Sequence, residues 1–234
     1  MAITRTLFVV THPESQHHVD GLVGGWFDSE LSDRGREQAL LIAAEVRRRI
    51  PGDTSTQVFS SDLRRTWSTA EAIAESVGAD AEAVPELREK SYGIAEGREQ
   101  SWLDERFVFP PKPSDAAAVG GGTEASFGGG ALDHGGRLDH FEGIEGAETR
   151  RQLGERVYAA MEFVLAQPAR HQIVVTHGFA HTFVIARWLE LPLESMGWAT
   201  FAATSGCITE LVEDDVFGNR TLRRLADVDH LGEV

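Results

Sequence analysis

Two apolar runs in this chain end in the same way. Leu7-Phe8-Val9-Val10 leads into Thr11-His12, and Ile173-Val174-Val175 leads into Thr176-His177. Short unbroken apolar runs read as strands buried on both faces. In an open α/β sheet, ligands bind beyond the carboxyl ends of the strands. A chain with two such strands can therefore bring two imidazoles to one crevice.

The segments between alternate in type. Ser32 reads as a helix N-cap with Asp33 in the first turn, and the helix runs to about Arg49 before Pro51-Gly52. Val58-Phe59 reads as a strand, Leu63 to Val77 as a helix closed by Gly78, and Ala83-Val84 as a short strand before Pro85. Glu148 to Leu165 and Phe179 to Leu189 read as helices, and Cys207 to Val212 and Thr221 to Leu225 as late strands. This alternation implies a layered α/β/α fold with a mostly parallel central sheet. Residues 1–234 read as a single domain. Within it, residues 107–147 read as a lid or loop insertion. Pro110, Pro111 and Pro113 open that segment, and ten glycines lie between Gly120 and Gly146.

Composition narrows the function. The formal net charge of −15 argues against a general nucleic-acid partner, which needs a basic surface, but not against a small phosphorylated ligand. No apolar run approaches the roughly 18 residues of a membrane helix. The Leu7–Val10 run is too short for a signal-peptide core, so a cytoplasmic location is expected. Cys207 is the sole cysteine, so no internal disulfide can form. A homodimer is compatible with all of this.

Residue types alone leave the chemistry open. His12 and His177 suit a shared pocket, yet any single histidine also reads as a surface or satisfied core residue. Arg64 and Arg65 sit at a strand-to-helix turn that suits phosphate oxygens, or they are solvated helix residues. Glu89 by itself reads as a surface group. His177 and His181, spaced i, i+4, could ligate a metal, but no His-Glu-x-x-His accompanies them.

In order and spacing, five segments resemble the histidine phosphatase superfamily, in the branch that includes cofactor-dependent phosphoglycerate mutase. Thr11-His12-Pro13-Glu14-Ser15 is similar to its opening Arg-His-Gly-Glu-(Ser/Thr). Gly24-Gly25-Trp26-Phe27-Asp28 and Leu31-Ser32-Asp33-Arg34-Gly35 follow its second pattern. Ser60-Ser61-Asp62-Leu63-Arg64-Arg65-Thr66, Leu87-Arg88-Glu89-Lys90-Ser91-Tyr92-Gly93 and Val175-Thr176-His177-Gly178 match the rest. The resemblance implies a phosphoglycerate mutase-like fold, with His12 as nucleophile and Glu89 as general acid. It implies that Arg65 and His177 hold the nonbridging oxygens, with Thr11, His18 and Gly25 at the phosphate. No metal and no cofactor are implied, because arginine and histidine supply the positive charge.

Two departures stand out. Thr11 replaces the family's arginine and Pro13 its glycine. A lost charge-assisted contact costs on the order of 1.5–3 kcal/mol. Another residue could substitute, with His17 or His18 nearest and His18 at a position where the mutases carry asparagine. Otherwise the enzyme is slow and specialised, or the chain is a noncatalytic phosphate-ligand binding protein. Leu22 stands where mutases carry a cation, and only Lys112 and Arg137 are cationic from Phe107 to Ala147. This favours hydrolysis of a small-molecule phosphomonoester over a phosphoglycerate mutase-type transfer. Trp102, Phe107, Phe109, Phe127 and Phe141 would suit a ring-bearing substrate such as a nucleotide- or flavin-type phosphate, or they merely anchor a loop.

Overall fold

The computed structural model describes residues 3–52, 54–112 and 134–232. Among these, six strands form one sheet: β1 (Ile3–Thr11), β2 (Thr56–Ser60), β3 (Ala81–Ala83), β4 (His171–Thr176), β5 (Ile208–Asp214) and β6 (Arg220–Asp227). Their order is β3-β2-β4-β1-β5-β6. The first four pair in parallel, and β5 and β6 add antiparallel to the β1 edge.

The helices are α1 (Gln16–Val19), α2 (Asp33–Arg49), α3 (Arg64–Val77), α4 (Gln100–Asp104), α5 (His134–Leu138), α6 (Arg150–Ala166) and α7 (Gly178–Trp188). Strand alternation sorts them into two layers. Leu7, Val9 and Val174 pack against Val157 and Met161 of α6 and Phe183 and Trp188 of α7. Phe8, Val10, Ile173 and Val175 pack against Ile42 and Val46 of α2 and Ala70 and Ile73 of α3. The expected α/β/α layering is thus present, with the parallel strands apolar on both sides.

Helix ends follow local chemistry. The Ser32 side chain accepts from Gly35 N at 2.9 Å and starts α2 where expected. Gly78, with φ of 70°, closes α3. α6 begins slightly later than expected, because Thr149 and Gln152 form a reciprocal capping pair. The short strand sits at Ala81–Ala83, not Ala83-Val84, since its pairing starts at Val58 opposite Ala81. The short α1, α4 and α5 carry too little periodicity to be read from sequence.

A smaller apolar cluster of Val23, Ala95, Leu103 and Ile144 lies apart from the sheet, with Tyr92, Trp102 and Phe107 packed on it. It joins both flanks of the 107–147 insertion to the segment carrying Glu89. The central part of that insertion, including Phe127, lies outside the described residues. No helix among the described residues is long and apolar enough to cross a membrane.

Candidate active site

β1 and β4 are neighbours, and their parallel register pairs Val10 with Val175 and Thr11 with Thr176. The next residue on each strand is His12 and His177, so the repeated Thr-His ending places both rings side by side. The ring centroids lie 5.2 Å apart, edge to face, and His12 N donates to Thr176 O at 3.1 Å. Both side chains are buried. They line a cavity of about 290 Å³ together with Thr11, His17, His18, Gly25, Arg65 and Glu89. Every site residue expected from sequence therefore borders one cavity.

The His12 ring has a defined polarity. A carbonyl can only accept, so the 2.8 Å contact of Nδ1 with Pro13 O puts the proton on Nδ1. Nε2 then keeps its lone pair and accepts from Arg65 Nε at 3.2 Å. Burial, reinforced by Arg65 and His18, holds the imidazole pKa well below 6.5, so the ring is neutral near pH 7. His177 Nε2 contacts Ser61 Oγ at 2.9 Å. Its buried Nδ1 has no protein partner among the described residues. Burial and then Arg65 also hold its pKa well below 6.5.

Arg65 occupies the first turn of α3 and is 1% exposed. Its Nη1 donates to Phe27 O at 2.8 Å and Nη2 to Gly25 O at 2.6 Å, which fixes the fork. Gly25 has φ of 60°, and a Cβ there would lie 2.8 Å from Glu96 Oε1, so glycine suits both backbone and space. Burial lowers the guanidinium pKa to about 10, which leaves it charged at neutral pH.

Glu89 sits at the N-terminus of α7. Phe179 N and Ala180 N donate to its carboxylate at 2.9 and 3.1 Å, and Lys90 N donates at 2.8 Å. Its backbone is clamped from outside. Glu89 O accepts from Trp26 Nε1 at 2.7 Å and Arg156 Nη2 at 2.6 Å. Arg156 also donates to Glu86 O and Arg88 O and pairs with Glu148. No sequence motif marks Arg156, because its role depends on three carbonyls of a distant loop.

Thr11 borders the cavity, but its hydroxyl is committed elsewhere. It donates to Thr204 O at 2.6 Å and accepts from Cys207 N at 3.0 Å. The 204–207 loop thus closes on the position where the resemblance places an arginine. Of the aromatics noted in sequence, Trp102 and Phe107 pack on the satellite cluster, while Phe109 and Phe141 are exposed. Among the described residues the non-histidine ring lining the cavity is Tyr92. His181 points to Thr209 Oγ1 of β5 at 2.8 Å, away from a shared metal site with His177.

The family model for the histidine phosphatase superfamily, branch 1, matches residues 7–121 and 131–224. The chain belongs to that superfamily. The break in the match falls inside the 107–147 insertion. Among curated histidine phosphatase relatives, "Probable phosphoglycerate mutase GpmB" of Salmonella paratyphi C is 30% identical over 187 residues, covering 80% of this chain and 75% of the relative. The protein of the same name from Yersinia enterocolitica is 32% identical over the same shares. A mycobacterial glucosyl-3-phosphoglycerate phosphatase complexed with VO3 superposes with a TM-score of 0.69 at 22% identity, over 96% of this chain and 100% of that one. Bacillus stearothermophilus YhfR superposes at 0.70 and 21% identity, over 97% and 99%. These two structures share the fold. The phosphoglycerate mutase-like architecture and phosphatase- or mutase-type chemistry follow from this membership.

Proposed function

We propose that this chain is a phosphatase that hydrolyses a small-molecule phosphomonoester through a phosphohistidine at His12. The observation that carries the reading is the His12 tautomer, with Nδ1 held by the Pro13 carbonyl and the Nε2 lone pair facing Arg65 inside the cavity. Nε2 attacks phosphorus while the P–O bond to the leaving group breaks, and Glu89 gives that oxygen its proton. Water then attacks the phosphohistidine, Glu89 takes the water's proton, and the N–P bond breaks to release phosphate and restore His12. Arg65 and His177 stabilise the equatorial oxygens in both displacements.

Hydrolysis is favoured over mutase-type transfer by the charge around the leaving group. Arg65 is the one lysine or arginine among the described residues that line the cavity, and Leu22 forms another part of the wall. Arg137 is engaged with Gly197 O and Pro111 O. A phosphoglycerate carboxylate therefore meets little positive charge, whereas an uncharged leaving group does not need it. The mutase reading draws support from the names of the curated relatives. A ring-bearing leaving group has support from Tyr92 in the cavity wall.

A panel of sugar phosphates, phosphoglycerates, nucleotides and flavin mononucleotide tests the proposal by released phosphate. Acid-labile label on His12, lost together with turnover in a folded His12→Ala variant, is the expected result. Isomerisation of 3-phosphoglycerate faster than hydrolysis would assign the mutase reaction instead. Ligand binding without turnover or label would make the chain a binding protein.

A further inference from the structure

Among the described residues the phosphate end of the cavity has one guanidinium, and Thr11, where the resemblance places a second, has its hydroxyl tied to the 204–207 loop. Beside it lie two more rings. His17 and His18 stand with centroids 4.2 Å apart, and 6.2 and 5.5 Å respectively from His12. Both line the cavity. We propose that His17 and His18 form the second oxyanion grip, each donating Nε2–H to a phosphate oxygen in place of the missing guanidinium. This rests on the phosphatase reading only for its substrate; the anion site itself does not require turnover.

Hydrogen bonding sets the polarity of each ring. Ser15 N lies 3.4 Å from His18 Nδ1, and a backbone N–H can only donate, so Nδ1 is the acceptor and Nε2 bears the proton. Ser15 Oγ adds a 3.2 Å contact to the same nitrogen. His17 Nδ1 is held between Ser15 Oγ at 2.9 Å and Ser29 Oγ at 2.6 Å. The grip requires the His17 tautomer in which a serine hydroxyl donates to Nδ1 and the ring proton is on Nε2. That nitrogen lies against Gly24, where a Cβ would come within 2.6 Å of it. Gly24 is thus the residue that leaves room for this ring at the cavity wall.

The surroundings keep both rings as neutral donors. They face Arg65 of α3, His12 at the end of β1, His177 before α7 and Glu14 of their own loop. Burial, His18 and Arg65 lower the His17 pKa to about 3. Burial and Arg65 lower that of His18, against an opposing pull from Glu14. A second permanent cation is thereby avoided next to Arg65, while N–H donors remain for the ligand.

Inorganic phosphate is the probe, read as a competitive inhibition constant and, independently of turnover, as the rise in Tm it produces. His17→Leu and His18→Leu should each weaken phosphate about tenfold, the equivalent of one net hydrogen bond of roughly 1.4 kcal/mol. His17→Gln and His18→Gln retain an N–H at similar reach and should recover most of the loss. Gly24→Ala, which crowds the His17 ring, should weaken phosphate with both histidines retained. Should His17→Leu fail to fold, Gly24→Ala and the His18 pair still decide the matter. Folded His18→Leu and Gly24→Ala variants that bind phosphate as the parent does would overturn the proposal. If the parent binds phosphate but forms no phosphohistidine, the catalytic reading falls while the grip is still tested by the Tm shift.

Discussion

At the residue scale, Thr11 and Glu89 each separate a structural from a chemical role. The Thr11 hydroxyl is buried and joins Thr204 O to Cys207 N. Thr11→Val keeps the shape and removes both bonds, while Cys207 N still donates to Thr204 O at 3.0 Å, so it should lower stability by about 0.5–1.5 kcal/mol in urea melts. Since the hydroxyl faces the loop, the phosphate inhibition constant should move far less than the stability does. Glu89→Gln keeps an acceptor toward the α7 N-terminus but has no acidic proton to give. Turnover of alkyl phosphates should fall by roughly 10²–10⁴-fold. Aryl phosphates with acidic phenols, whose leaving oxygen needs no proton, should fall much less. An equal loss on both substrate types would show that Glu89 acts through structure alone. The pairing of His12 with His177 was legible in sequence because two strands carry the same ending. The orientation of Thr11 was not, because it depends on a loop nearly two hundred positions away, and no local pattern encodes that contact.

Elements explain why these side chains arrive in register. Glycine at position 35 is required where α2 crosses the end of β1, since a Cβ there would lie 1.8 Å from Glu14 O. Ser32 and Glu14 lock the same crossing through the Ser32 Oγ to Glu14 Oε1 bond of 2.6 Å. The Leu-Ser-x-x-Gly pattern is therefore a packing device, visible in sequence as a cap followed by a glycine. The long helices and β1, β2 and β4 were legible because buried strands and capped amphipathic helices leave periodic signals. The short α1 and α4, which bring His17, His18 and Gln100 to the cavity, are set by tertiary contacts and leave no such signal. The clamp from α6 to the Glu89 loop belongs here too. Arg156 spans Glu86 O, Arg88 O and Glu89 O from a helix that never touches the ligand cavity. Arg156→Met should let the acid drift, and a shift of about 1 Å can cost on the order of 10²-fold in rate. The loss should fall on kcat, with the phosphate inhibition constant nearly unchanged. Arg156→Lys should not restore it, because an ammonium cannot serve three carbonyls and a carboxylate as the planar fork does.

Across the whole molecule, two electrostatic effects oppose each other on acidification, and their magnitudes decide the outcome. The net charge of −15 at pH 7 falls toward zero near pH 5.0, which relieves self-repulsion and favours the compact state. The buried histidines act the other way. His12, His17, His177 and His181 all have folded pKa values below the 6.5 of an unfolded imidazole, through burial first in each case. The unfolded chain therefore binds more protons below pH 6.5, so stability falls with falling pH across the interval down to each folded value. For His181, whose pKa is lowered to about 4, the full effect is roughly 3 kcal/mol. That single group removes a substantial part of the 5–15 kcal/mol typical of a domain, and His17 continues the trend to about pH 3. Diffuse surface repulsion is screened by salt, whereas buried imidazoles are not. The histidines should therefore win, with maximum stability above pH 6.5 and not near the isoelectric point. Urea unfolding at 0.15 M salt should show a steep loss between pH 6.5 and 4.5. His181→Gln should be destabilised at pH 7.5 by loss of the Thr209 bond, yet lose less than the parent on acidification, so the two curves converge. Parallel curves, or a stability maximum at pH 5, would mean that His181 is not desolvated as the fold places it.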